Sequence, residues 1–187
     1  MRSHFVLLAS YNRWMNERLY AAAGTLPATE LSRDRGAFFG SILGTLNHLV
    51  VADTIWLQRF ATLPARHEAL DPVRALPAPA ALDAVLFADF AELTAHRRRL
   101  DAIIGDWIGT LGETDLREVL DYANTRGHGF RRGLASLLLH MFNHQTHHRG
   151  QVTTLLSQAG VDVGVTDLLA LIPDAGAGTT AAAPHPR

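Results

Sequence analysis

Hydrophobic residues recur every three to four positions along four stretches of the chain, the spacing of one helical face. The first stretch covers residues 2–23, where Gly24 and Pro27 follow as stop signals. The second covers residues 42–60 and ends before Pro64, since proline cannot continue a helix. We predict helices one and two over these segments.

Two longer stretches complete the set, and irregular segments separate them. We predict helix three over residues 80–111, before Gly112, and helix four over residues 133–159, before Gly160. Residues 64–79 hold four prolines, which favours an irregular crossover between helices two and three. Turn-forming residues 124–129 predict a small hairpin or an extended loop before helix four. The apolar side predicted for helix three consists of Leu82, Val85, Leu86, Phe90, Leu93, Leu100, Ile104 and Trp107.

Four long helices and little strand predict an all-α protein, specifically a four-helix bundle. A chain of 187 residues, 48% of them hydrophobic, can bury one core, so we expect a single domain over residues 1–173. Residues 174–187 are mostly Ala, Gly, Thr and Pro, and predict a disordered tail. Facing helices of such bundles often supply metal ligands, which directs attention to the histidines.

Composition excludes several classes of function. A formal net charge of −1 gives no pull toward nucleic acid or an anionic membrane, and favours a small-molecule or protein partner. The charged N-terminal residues fit neither a secretory signal nor a membrane span, so we expect a cytoplasmic protein. The absence of cysteine and lysine excludes disulfides, thiolate ligands and Schiff-base chemistry. The run Arg97, Arg98, Arg99 is interpreted as a solvated face.

His144 and His148 lie four residues apart in helix four, on the side that carries Leu137, Met141 and Leu155. Two imidazoles at this spacing can converge on one metal ion. His48 lies in the middle of predicted helix two, and its small neighbours leave room beside its ring. The same pattern also suits hydrogen-bonded core histidines, so both interpretations stay open.

Other polar residues rank below these three. His140 and His147 fall at a flanking position of helix four, although His140, one turn before His144, is an alternative ligand or a partner of a ligand. Asp53 lies about 140° round the helix from His48, a poor angle for joint coordination. The remaining five histidines are expected to be solvated, and the loop residues Tyr122, Arg126 and His128 are expected to face solvent.

The segment LHMFNHQTHHRGQ at residues 139–151 resembles the signature of the DinB family of metal-dependent four-helix proteins, which is related to bacterial thiol transferases and YfiT-like hydrolases. Residues 11–19, and residues 46–49 together with Trp56, resemble the first and second helices of that family. The likeness covers most of residues 5–172. It implies that His48, His144 and His148 are the metal ligands.

The resemblance also implies a nickel, zinc or iron ion, a homodimer, and a low-molecular-weight thiol such as bacillithiol, mycothiol or glutathione as co-substrate. Three imidazoles would leave the ion an open position, where a water or a thiol can lose its proton. The first hypothesis is therefore a metal-dependent enzyme, either a thiol S-transferase or a hydrolase. The alternative is a non-catalytic stress-response protein with a structural metal. No catalytic residue is assigned.

Overall fold

The computed structural model describes residues 1–174, so the predicted tail, apart from Asp174, lies outside the described residues. Four helices of 19 to 25 residues dominate: α1 (Arg2–Ala23), α3 (Ile42–Phe60), α5 (Phe90–Thr110) and α6 (Leu134–Gln158). Two short helices, α2 (Ala28–Ser32) and α4 (Asp71–Arg74), lie in the connections. Single 3₁₀ turns occupy Glu68–Leu70, Asp115–Arg117 and Leu168–Leu171. The predicted bounds of helices one, two and four agree with α1, α3 and α6 within one residue.

The four long helices surround one apolar core. Helix α1 packs against α5 and α6, and α3 packs against the same two helices from the other side. Because their apolar residues repeat at helical spacing, each helix turns one stripe inward. Within the described residues, no helix is both long and apolar enough to cross a membrane. Fully buried members of the core include Leu19, Leu46, Leu57, Leu100, Trp107, Leu138 and Leu156.

A two-stranded antiparallel hairpin precedes α6. The sequence predicted either a small hairpin or an extended loop there. Strand β1 (Val119–Ala123) pairs with β2 (Gly129–Gly133), with Tyr122 opposite Phe130. The Asn124 side chain accepts hydrogen bonds from the backbone N–H groups of Arg126 and His128, which closes the turn. The hairpin reaches the bundle through Tyr122, whose ring lies 5.4 Å from that of Trp56 on α3.

Helix three begins at Phe90, so the predicted start near residue 80 is wrong. Asp89 caps the helix by accepting from the Glu92 N–H, and the ten residues before Phe90 are irregular. The Asn47 side chain on α3 holds the backbone of Phe87 at both its N–H and its C=O, which competes with helical pairing. The residues predicted on the apolar side there are 41% to 59% exposed: Leu82, Val85 and Leu86.

Candidate metal centre

His48 of α3 and the two histidines of α6 meet where these helices pack. Their ligand nitrogens all lie within 4.8 Å of one another. The Nε2 atoms of His48 and His144 are 3.2 Å apart. His48 and His148 are buried and His144 is partly exposed, so the group sits at the edge of the core. The structure thus brings together the three histidines singled out from the sequence.

A backbone carbonyl fixes the ring of His48. Its Nδ1 lies 2.7 Å from the carbonyl oxygen of Leu82, which can only accept, so Nδ1 carries the proton. The Nε2 atom therefore presents a lone pair toward His144. The irregular segment that the Asn47 side chain ties to α3 supplies this carbonyl, so the late start of α5 contributes directly to the site.

A side-chain amide fixes the ring of His148 in the same way. Its Nδ1 lies 2.8 Å from Oε1 of Gln151, which stands three residues later on the same face of α6. The amide nitrogen of Gln151 lies 3.4 Å from Nε2 of His147, consistent with the amide oxygen facing His148. His148 thus also presents Nε2 to the shared space. Partners of this kind orient metal-binding histidines and raise their basicity.

An aromatic ring covers one wall of the site. Phe39, from the loop between α2 and α3, stacks on the His48 ring with 3.8 Å between ring centroids, and meets His148 edge-on at 5.6 Å. Gly44 permits this approach, because a Cβ there would lie 2.1 Å from the Phe39 carbonyl oxygen. Gly44 is one of the small neighbours expected to leave room beside the His48 ring, and the space admits Phe39. Its neighbour Phe38 is 86% exposed.

Burial keeps the three imidazoles neutral. Desolvation lowers the pKa of His48, His144 and His148 below the ordinary value of 6.5. The pKa of His144 falls furthest, to about 3, because charge on His148 and His48 would add to the desolvation penalty. Neutral imidazole is the form that binds a metal ion.

The nitrogen spacing fits a metal ion. Zinc–nitrogen distances of about 2.0–2.1 Å and tetrahedral angles place two ligand nitrogens about 3.3–3.4 Å apart. The 3.2 Å between Nε2 of His48 and Nε2 of His144 is close to that value. Imidazole nitrogen suits zinc, nickel and iron. The three histidines could therefore hold one such ion.

The lower-ranked candidates lie outside this group. His140 is exposed, and its ring centroid is 6.0 Å from that of His144 and 5.1 Å from that of Trp56. His147 is exposed and contacts the Gln151 amide. Arg126 and His128 face solvent in the hairpin turn as expected, whereas Tyr122 is partly buried against Trp56.

A buried ionic network, which the sequence pattern did not predict, lies beside the site. Arg97 is 1% exposed and pairs with Asp53 at 2.6 Å and with Asp101 at 2.9 Å, so its predicted place on a solvated face is wrong. Asp53 is paired with Arg97 and is not part of the histidine group. Asn12 and Asn16 of α1 donate to the Asp101 carboxylate. Burial raises the pKa of Asp101, against the lowering effect of Arg97 and Asn16.

Arg149 extends this network to α6. It donates to Oδ1 of Asn12, and its guanidinium lies 5.3 Å from the centroid of the Tyr11 ring. Burial lowers the pKa of Arg149 to about 10, so it stays charged at neutral pH. Two carboxylates and two guanidinium groups therefore balance one another between the helices. The sequence contains a signal for this network, because Arg97 and Asp101 lie four residues apart on one helical face, as do Asn12 and Asn16.

Comparison with known proteins identifies the family of this chain. The model of the DinB family matches residues 1–178. Protein DinB of Bacillus subtilis (strain 168) is 27% identical over 169 residues, which cover 86% of this chain and 88% of that protein. The crystal structure of a DinB-like protein from Bacillus cereus ATCC 10987 superposes with a TM-score of 0.51 at 22% identity, covering 81% of this chain and 89% of that one. The chain belongs to the DinB family.

Proposed function

We propose that this protein holds one divalent ion, nickel, zinc or iron, on His48, His144 and His148, and uses it as an enzyme on a small-molecule substrate. The carrying observation is the convergence of three neutral imidazoles, two of them with Nε2 turned inward by a partner on Nδ1. We further take the four long helices to form the four-helix bundle typical of the family.

The ligand count favours a catalytic role over the alternative, a stress-response protein with a structural metal. Structural zinc sites are normally closed by four protein ligands, whereas catalytic sites keep one position open. Among residues 1–174, the group contains three histidines and no carboxylate, and Asp53 is paired with Arg97. His140 also lies outside the group. We infer that a fourth position faces the substrate.

A divalent ion held by three imidazoles supplies Lewis acidity, which lowers the pKa of a water or thiol that enters its open position. The chain itself orients the donors through the Leu82 carbonyl and the Gln151 amide. Phe39 shields the His48 ring from water. Because the chain has no cysteine, thiol transfer requires an external thiol, for which glutathione, bacillithiol and mycothiol are the candidates. Hydrolysis requires water alone.

The experiment follows both reactions with metal-loaded protein. One arm measures the loss of each thiol in the presence of a reactive electrophile, and the other measures hydrolysis of an activated ester. The matched variants are His144→Ala, inside the group, and His128→Ala, exposed in the hairpin turn. We expect turnover in one arm that His144→Ala abolishes and His128→Ala retains.

Two other results would overturn the catalytic proposal. Turnover that is equal in wild type and His144→Ala would place the chemistry elsewhere. One bound ion per chain without turnover in either arm would favour the structural alternative.

A further inference from the structure

Arg59 on α3 is a partly buried cation whose guanidinium finds no anionic partner in the described part of the chain. Its Cζ atom lies 4.7 Å from the centroid of the Trp56 ring and 5.0 Å from that of Tyr122. Arg97, by contrast, is buried between two carboxylates. Arg59 therefore has a fixed position and an unneutralised charge.

Both rings lie at cation–π distance from the guanidinium. A contact with an aromatic ring does not supply a hydrogen-bond acceptor for the N–H donors, which point outward from the edge of the guanidinium. Tyr122 is itself held by Phe130 of the neighbouring strand, with 5.6 Å between stacked rings. Burial lowers the pKa of Arg59, in keeping with a group partly withdrawn from water. An incoming anion would thus meet a preoriented pair of donors.

A cavity of about 390 Å³ adjoins Arg59, between α3, strand β1 and the segment that contains Pro79. This volume lies in the range of small-molecule sites. Gln58 also lines the cavity, but its amide already donates to the carbonyls of Val73 and Leu76. Asp121, the acidic residue of the lining, is on the exposed side of the hairpin, 3.9 Å from Arg131. Arg59 is therefore the cationic group that this cavity offers to a ligand.

The cavity lies on the same side of α3 as the metal centre. Arg59 follows His48 by eleven residues, which places the two within about 20° on the helix and about 16 Å apart along its axis. Trp56 links the two regions, since its ring lies 5.1 Å from that of His140, which neighbours His144. A ligand on this surface can contact Arg59 without contacting the histidines.

We propose that Arg59, held against Trp56 and Tyr122, is an oxyanion-binding residue that takes a carboxylate or phosphate group of a small-molecule ligand in the α3–β1 cavity. This site goes beyond the proposed function, because it needs no metal ion. A planar guanidinium recognises either group through paired hydrogen bonds. A carboxylate of a thiol co-substrate and an independent small anion share this chemistry.

Metal-loaded protein is titrated with inorganic phosphate, succinate and glutathione. Calorimetry measures binding, and tryptophan fluorescence reports on the site because Trp56 contacts the guanidinium. Saturable binding of phosphate or succinate would indicate an independent anion, and saturable binding of glutathione alone would indicate the carboxylate of a thiol. Arg59→Gln should weaken binding about tenfold or more, because it removes charged hydrogen bonds. Arg59→Lys, which keeps the charge but not the planar fork, should restore part of the affinity.

Two controls separate this proposal from the metal site. Arg33→Gln removes an exposed arginine that already pairs with Glu30, and it should bind as wild type does. His144→Ala, expected to lack the ion, should also retain binding of the probes. The proposal is overturned if no probe saturates wild type, if Arg59→Gln binds as tightly as Arg33→Gln, or if His144→Ala alone abolishes binding.

Discussion

Helix α6 contributes to two buried polar regions, and the cost of removing polar groups from water is reduced differently in each. At the metal centre, His144 and His148 are kept neutral, and their nitrogens converge with that of His48. In the ionic network, Arg97 forms ion pairs with Asp53 and Asp101, and Arg149 donates a hydrogen bond to Asn12. Arg149 stays charged at neutral pH.

The difference distinguishes a site from a structural element. In the network, Arg97 pairs with both carboxylates, so its charge is neutralised within the protein. The histidine group turns the lone pairs of His48 and His148 toward a shared space, where a metal ion can bind them. Burial alone therefore does not identify function. The convergence of three neutral donor atoms, rather than burial, marks the histidine group as a candidate site.

Removing Arg97 should have the largest effect on stability. Arg97→Met leaves two buried carboxylates without their cation, and we expect a loss of about 3–5 kcal/mol in the free energy of unfolding. Arg98→Met changes an exposed neighbour and should stay within about 0.5 kcal/mol. Urea denaturation measures both. Equal effects of the two variants would mean that the network does not stabilise the fold.

Removing the amide of Gln151 should weaken the metal centre without affecting the network. Gln151→Leu frees the His148 ring, and we expect a 10- to 100-fold loss of zinc affinity, typical for the loss of a group that orients a ligand. Gln158→Leu, an exposed glutamine of the same helix, is the control. Calorimetric titration with zinc compares them. Unchanged affinity in Gln151→Leu would refute its orienting role.

Gly44 and Gly105 form a matched pair of helical glycines. At Gly44 an added Cβ meets the Phe39 carbonyl oxygen at 2.1 Å, whereas at Gly105 it meets nothing within 4 Å. Gly44→Ala should therefore destabilise by about 1–3 kcal/mol and displace Phe39 from His48. Gly105→Ala should stabilise by about 0.5–1 kcal/mol. Thermal unfolding of both variants checks the opposite signs, and equal shifts would contradict the close approach.

The stability of metal-free protein should depend on pH through His144. The pKa of His144 is about 3 when folded and near 6.5 when unfolded, so between these values the unfolded state binds more protons. Stability should fall as the pH is lowered from 6.5 toward 3. Urea midpoints at pH 7.5 and 5.0 should differ less in His144→Ala than in wild type. Identical differences in the two proteins would contradict a buried neutral His144.

The sequence predicted those features that depend on helical periodicity. The bounds of α1, α3 and α6 follow from it, and the spacing of His144 and His148 placed both on one face. Periodicity failed over residues 80–89, where Leu82, Val85 and Leu86 mimic a helical stripe. There, hydrogen bonds from Asn47, 40 residues away in sequence, fix the backbone instead.

Contacts between distant segments account for the remaining misses. Arg97 lies in line with Leu93 and Leu100 on the buried face of α5, but its place in a run of three arginines favoured a solvated face. Phe39 reaches the His48 ring only because Gly44 admits its carbonyl, a fit that no local pattern shows. In the sequence, Arg59 is a charged residue near a helix end, and its contact with Tyr122 depends on how the hairpin packs against α3.

The most direct test of the central claim is calorimetric titration of tag-free protein with zinc and with nickel. Wild type, His140→Ala and His147→Ala should bind one ion per chain, whereas His48→Ala, His144→Ala and His148→Ala should lose that binding, because only the latter three remove a nitrogen of the converging group. Equal binding by His144→Ala and His140→Ala would contradict the assignment of the metal centre.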